Sequence, residues 1–224
     1  MKKEIVVLSL GGSIIIPDEI NIKRINEFKK VILSNLDKYK FVIVCGGGSI
    51  ARKYISALKD KSEDLQSYAG ISATRMNARF MSYFFDFDQK EIPHTLQNVK
   101  EKLKNQDIVF CGALGYNKNQ TSDSTAVTIA KEFNSKFINI TDVKGLYDKD
   151  PKKFKNARLI KKISSEEFYK ITSKIKFKAG QHFVIDQHAS KLINENKIPS
   201  FIIQKNSDLN KLLKNKRFIG TKIF

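Results

Sequence analysis

The chain has no tryptophan, two cysteines, three histidines and four prolines in 224 residues. Acidic residues are also scarce, 23 Asp and Glu against 41 Lys and Arg, for a formal net charge of +18. Each shortage excludes something. Cys45 and Cys111 each close an apolar run, which is how cysteine serves as a small buried hydrophobe in a reducing cytosol, not as a disulfide framework. His94, His182 and His188 form no metal-ligand spacing with them, so no metal site is expected. No window approaches the roughly 20 apolar residues of a membrane span. The opening MKKEIVVLSLGGSIIIPDEI starts with lysines and an apolar run, but Glu4 interrupts it, glycines sit inside it and no small-residue cleavage site follows. It reads as a first buried strand and not as a signal peptide. A Walker loop, a G-x-G-x-x-G turn, internal repeats, low-complexity linkers and nucleic-acid-binding signatures are missing as well.

Of the basic residues 35 are lysine and six arginine. They spread along the whole chain, which favours a compositional drift toward Lys, Asn and Ile over a dedicated polyanion-binding face. No dedicated nucleic-acid partner and no membrane partner are expected. A basic site still suits a phosphorylated substrate.

What is present is a regular alternation. Hydrophobic residues make up 41% and charged residues 29%, enough for a sizeable core. Apolar runs rich in Val and Ile predict strands over 4–10, 40–45, 107–111, 136–141, 200–204 and 218–223. Amphipathic spacing predicts helices over 22–36, 49–58, 71–85, 124–133, 164–171, 185–194 and 209–213. Such alternation argues for a three-layer α/β/α sandwich around a mainly parallel sheet, one domain over 1–224. Ligands then sit at the carboxyl ends of the strands.

Three strands end in small residues: Gly11-Gly12-Ser13, Gly46-Gly47-Gly48-Ser49 and Gly112-Ala113. Glycine permits sharp turns and lets backbone N–H groups approach an anion. A helix starting at Ser49 points its positive end the same way, and Arg52 is placed to fork a phosphate. The alternative for each cluster is a tight strand–helix turn. Thr121-Ser122-Asp123-Ser124 is either a helix cap or a phosphate grip with Asp123 orienting the groups around it. After the fourth strand comes T-D-V-K-G-L-Y-D-K-D-P, either a polar turn or a nucleotide clamp built on Tyr147 and Asp150. The stretches 116–120 and 147–156 read as flaps or surface loops.

Seven motifs in order resemble the amino-acid-kinase superfamily, and within it the archaeal-type uridylate (UMP) kinases. They are V-L-S-L-G-G-S (7–13), G-G-G-S-I-A-R-K-Y (46–54), G-I-S-A-T-R-M-N-A (70–78), T-S-D-S-T-A (121–126), the 141–151 stretch above, K-A-G-Q-H-F-V-I-D-Q-H-A (178–189) and the terminal G-T-K-I. The resemblance implies transfer of the ATP γ-phosphoryl group to UMP with Mg²⁺, in cytoplasmic pyrimidine nucleotide synthesis, by a homohexamer. It implies that Ser9, Leu10, Gly11, Gly12, Ser13, Gly48 and Arg52 hold the ATP phosphates, and that Thr141, Tyr147 and Asp150 hold the adenosine. Gly47, Ser67, Gly112, Gln120, Thr121 and Ser122 take the acceptor. Arg52 and Asp123 are the catalytic pair, with Asp123 between the two phosphates. Thr74, Arg75 and Asn77 are expected at the acceptor pocket and a dimer contact.

The chain departs from the family pattern in four places. Ser9 stands where many members carry Lys, which leaves its charge to another basic residue such as Lys178. Ser67 stands where the ribose-binding Asp is usual. The loop from Gly112 to Asp123 is longer and lacks proline, and Asp142 and Lys144 replace the usual Asn and Asp. The alternatives are a sibling kinase acting on isopentenyl phosphate or carbamate, a non-catalytic nucleotide-binding or storage protein, and a nucleic-acid binder using the aromatic–basic stretches at 152–155 and 177–178.

Overall fold

The computed structural model describes residues 3–87, 91–116, 121–151, 153–174 and 184–224. Its strands are β1 (Glu4–Leu10), β2 (Tyr39–Cys45), β3 (Ile108–Cys111), β4 (Lys136–Ile140), β5 (Lys162–Ile163), β6 (Ser200–Ile203) and β7 (Gly220–Ile223). They form one seven-stranded sheet in the order β3-β2-β1-β4-β6-β7-β5. The first five strands of that order run parallel, and β7 pairs antiparallel with β6. The sheet is therefore mainly parallel, as expected, with a reversed edge.

The helices are α1 (Gly12–Ile15), α2 (Ile22–Leu33), α3 (Gly48–Ala57), α4 (Glu63–Phe84), α5 (Leu96–Asn105), α6 (Ser122–Glu132), α7 (Ser165–Thr172), α8 (Gln187–Asn196) and α9 (Asn206–Leu213). Strand alternation divides the core in two. Val6, Leu8 and Leu10 face one layer, with Ile25, Phe28 and Ile32 of α2, Ala78 and Met81 of α4, and Leu209 and Leu213 of α9. Val7 faces the other, with Val99 of α5, Ala126 and Ile129 of α6, Phe168 of α7 and Ile193 of α8. Helices on both faces explain why the strands read as continuous apolar runs instead of alternating ones. Cys45 and Cys111 are free thiols buried in these two layers, and burial pushes the Cys111 thiol up to about 12, which makes it inert.

The structure adds three elements to the sequence expectation: α1, α5 and β5. One is a single helical turn and another a two-residue strand, too short for periodicity to register. The helix predicted from 71 begins at Glu63. Ser62 caps it, accepting from the Leu65 N–H, and Glu63 and Asp64 fill the first turn, where negative charge is favoured.

Candidate active site

The chain leaves β1 for β2 and β3 on one side, then returns to β4 on the other. The connections after β1 and β4 diverge, and a crevice opens at the carboxyl end of the sheet. The β1–α1 and β2–α3 turns form one wall, backbone against backbone. A Cβ on Gly12 would lie 1.9 Å from the Gly48 nitrogen, and one on Gly46 would lie 2.5 Å from the Gly12 nitrogen. Gly48 has φ +63, the left-handed region that glycine occupies without strain. The tight-turn reading of these glycines is therefore real. It leaves room for the other, because the N–H groups of Gly12, Ser13, Gly47 and Gly48 donate to no backbone carbonyl among the described residues. Gly11 is committed elsewhere: its N–H goes to the Ile140 carbonyl at 2.9 Å, fastening the turn to the end of β4. The Leu10 side chain belongs to the core, and its carbonyl accepts from Gly46.

Ser9 faces α6 because it shares strand parity with Val7. It is fully buried, and its hydroxyl donates to Asp123 Oδ1 at 2.6 Å. Asp123 sits in the first turn of α6. Burial and then the charge of Asp186 raise its pKa to about 7, with the Ser9 hydrogen bond opposing. Asp186 caps α8 and gathers the start of α6 as well. It accepts from Ala189 N–H (2.8 Å), the Ser124 hydroxyl (2.7 Å), Ser124 N–H (3.2 Å) and the Thr121 hydroxyl (2.5 Å). Thr121 in turn accepts from Asp123 N–H, so the capping alternative holds for Thr121, and Ser122 is the first residue of α6. His188 Nδ1 lies 3.3 Å from the Ser124 hydroxyl. On β4, Asn139 lies beside Ser9 in register and donates to the Val184 carbonyl, anchoring the approach to α8.

The opposite wall is made by side chains. Thr74 accepts from Ala113 N–H at 3.0 Å, Arg75 donates to the Ala113 and Leu114 carbonyls at 3.2 Å each, and Asn77 donates to the Gly46 carbonyl at 2.7 Å. These residues position the turns after β2 and β3. Gly112 fits there because a Cβ would meet the Thr74 hydroxyl at 2.5 Å. Ser67 is half-buried in the second turn of α4. Beyond Gly112 the loop reaches α4 again: Tyr116 donates to Asp64, and its ring lies 5.1 Å from that of Tyr68.

Thr141 directly follows β4 and is buried. The stretch after it leaves the sheet, and its base is closed by a Tyr147–Leu159 bridge and by Ile160 N–H on the Leu146 carbonyl. Gly145 and Thr221 touch here: the Thr221 hydroxyl accepts from Leu146 N–H and donates to Ile160, which explains the terminal G-T-K-I. Tyr147 and Asp150 lie on this excursion, and at its tip the Asp150 backbone carbonyl accepts from the Lys153 and Phe154 N–H groups. Arg52 is exposed and donates to the Pro17 carbonyl at 2.9 Å, beside a surface hollow lined by Asp18, Ser49 and Lys53. Gln120, Lys152, Phe177, Lys178 and the rest of 178–183 lie outside the described residues.

Sequence reasoning brought Ser9, the glycine turns, Thr121, Ser122 and Asp123 to one place and missed Asp186. The helix drawn from 185 put Asp186 inside it. An Asp directly before Gln-His-Ala-Ser was the available signal of a cap.

Comparison with known proteins agrees with this fold. The profile of the Amino acid kinase family matches residues 4–204. A uridylate kinase of Archaeoglobus fulgidus is 35% identical over 88% of this chain and 90% of its own length. One of Methanobrevibacter smithii is 30% identical over 97% and 98%. The crystal structure of the Archaeoglobus fulgidus uridylate kinase superposes with a TM-score of 0.83, at 33% identity, covering 98% of this chain and 99% of that one. The chain belongs to the amino acid kinase family.

Proposed function

We propose that this chain phosphorylates UMP, moving the γ-phosphoryl group of ATP to it and releasing ADP and UDP. The observation that carries the reading is the crevice at the carboxyl end of β1, where Asp123, held by Ser9, sits beside an amide-rich glycine wall. A phosphate oxygen of UMP attacks the γ-phosphorus, and the bond to the β–γ bridging oxygen breaks. The attacking phosphate needs no covalent partner and no strong base, so catalysis reduces to alignment and to surroundings that suit negative charge. The amides of Gly12, Ser13 and Gly48 supply that for the donor, with the start of α3 behind them. Gly47, Thr121 and Ser122 face the acceptor, with Gly112 and Ser67 on its far side. Thr141, Tyr147 and Asp150 take the adenosine.

Asp123 organises the centre. With a pKa raised to about 7 it carries only part of a negative charge at neutral pH, which limits its repulsion of two phosphates. Arg52 serves the transferred group by leaving the Pro17 carbonyl and turning inward. The donor set fits a magnesium ion that arrives with ATP. Mg²⁺ binds through one or two carboxylates plus phosphates, and Asp123 offers the carboxylate, while no group of three or more His, Cys, Asp or Glu able to hold a metal exists among the described residues. When bound, the ion neutralises phosphate charge.

The same reading makes 1–224 one domain, since a single sheet runs from Glu4 to Ile223. It makes the enzyme a cytoplasmic homohexamer of pyrimidine synthesis. Leu65, Tyr68, Met76 and Tyr83 form an exposed stripe along α4 that suits a second copy. No helix among the described residues is long and apolar enough to cross a membrane.

A coupled ADP-release assay with Mg·ATP and UMP, CMP, dUMP, AMP, carbamate and isopentenyl phosphate tests the reading. Fast release with UMP is expected. Release with another acceptor alone replaces UMP by that acceptor, and silence with ATP still bound marks a non-catalytic nucleotide-binding protein.

A further inference from the structure

Arg24 belongs to none of the motifs above. It stands one turn into α2, where the capping side chain of Asn21 accepts its N–H at 3.1 Å. Its guanidinium is half-buried, and Nη2 donates to the carbonyls of Gln204 (2.5 Å) and Thr141 (3.4 Å). These two residues directly follow β6 and β4. Two more hydrogen bonds close the same ring: Thr141 N–H to the Ile203 carbonyl at 3.0 Å, and the Gln204 side chain to the Asp142 carbonyl at 2.5 Å. The Arg24 carbonyl accepts from Asn206, the first residue of α9. Burial depresses the Arg24 pKa below its ordinary value, and Asp142 and Glu27 offset only part of that. A half-buried guanidinium with strand-end carbonyls for acceptors is a costly arrangement for a cation.

The ring borders the crevice. Gly11 N–H binds the Ile140 carbonyl, and a Cβ on Gly11 would lie 3.8 Å from Thr141 Cα. The Thr141–Asp142 turn therefore packs directly against the β1–α1 turn.

We propose that Arg24 is a positioning residue for the donor nucleotide: its guanidinium gathers the ends of β4 and β6 and so holds the Thr141–Asp142 turn in place beside Gly11. The proposal rests on the ATP-dependent reading above. It places the effect on the donor side, because the acceptor-side turn after β3 is held separately by Thr74 and Arg75.

The test compares the whole chain with Arg24→Met and Arg24→Lys by ATP binding in a calorimeter without acceptor, by KM for both substrates, and by melting temperature. Arg24→Met is expected to weaken ATP about tenfold, the usual scale for losing a charged hydrogen bond. KM for UMP should change by less than about twofold and kcat by less than about threefold, the pattern of lost ground-state binding. Arg24→Lys keeps the charge but not the fork, and should recover part of the loss. If Arg24→Met does not fold, Gln204→Met removes the lock on Asp142 from the other side and should weaken ATP in the same direction. A folded Arg24→Met that binds ATP as the wild type does overturns the inference. Equal weakening of both substrates overturns it too, since that is general loosening. A wild type that binds no ATP overturns the functional reading and this inference together.

Discussion

The two walls of the crevice are built differently. The donor wall is backbone on backbone, with Gly12, Gly46 and Gly48 so close that a single Cβ would collide with main-chain atoms. The acceptor wall is side chain on backbone, with Thr74 and Arg75 reaching the turn after β3, and Tyr116 reaching Asp64. Where backbones touch, only glycine is admitted, so the motif is nearly forced. Where side chains span the gap, several residue types can bridge it. That is where Ser67 and the longer loop depart from the family pattern, while the glycine turns of the donor wall are kept.

This contrast can be broken in order of expected effect. Gly12→Ala should be the most damaging change, destabilising by more than about 4 kcal/mol because a backbone neighbour has nowhere to go. A melting curve or the soluble yield checks it, and a well-folded Gly12→Ala would mean that the turns are not in contact.

Asp123→Asn comes next. It should leave the fold intact and lower kcat by about 10²–10³-fold, the scale for losing one preorganised polar group at a transition state. It also has a pH signature. The folded-state pKa of about 7 lies above the ordinary 3.8, so the folded chain holds this proton more tightly than the unfolded one. The stabilising contribution is complete below the ordinary value and is lost as pH rises through about 7. Between those limits the melting temperature of Asp123→Asn should depend less on pH than that of the wild type. The charge of Asp186 helps to raise the Asp123 pKa, so Asp186→Asn should lower it and narrow the same pH window.

Asp186→Ala removes the cap of α8 and the anchor of α6 together, and takes the acceptor from the Ser124 N–H. We expect a loss of about 3 kcal/mol, or roughly 6–12 °C in melting temperature. Losing only the cap would cost about 1 kcal/mol, so the size of the effect reports whether the two helices are joined here.

The smallest effect belongs to the acceptor wall. The hydrogen bond from Tyr116 to Asp64 pushes the phenol up to about 12. Asp64→Asn should return one of the seven tyrosines to the ordinary range in a spectrophotometric titration, with little change in melting temperature. An unchanged titration would mean that this contact is not made in solution.

Legibility in the sequence follows the same division. The strands were readable because burial on both faces makes them continuous Val and Ile runs, as in β1 and β2. The glycine turns were readable because close backbone contact leaves no substitute. Asp123 was readable by position at a helix start. Asp186 was not, because its role depends on two helices 62 residues apart meeting at one carboxylate. Arg24 was invisible for the same reason, since its acceptors are carbonyls and any residue type carries one. Arg52 was legible as a cation near a phosphate turn, but its orientation toward Pro17 is a side-chain matter that spacing does not encode. The short elements α1 and β5 span only about one period each, so no pattern repeats in them.

The most direct test is to follow phosphorus in a single pot. Wild-type protein with Mg·ATP and UMP is watched by phosphorus NMR, beside Asp123→Asn. The account predicts that the ATP γ-signal disappears as ADP and UDP signals grow in equal amounts, and that the variant does this far more slowly. Loss of ATP to free phosphate without UDP, or an Asp123→Asn protein as fast as the wild type, would contradict it.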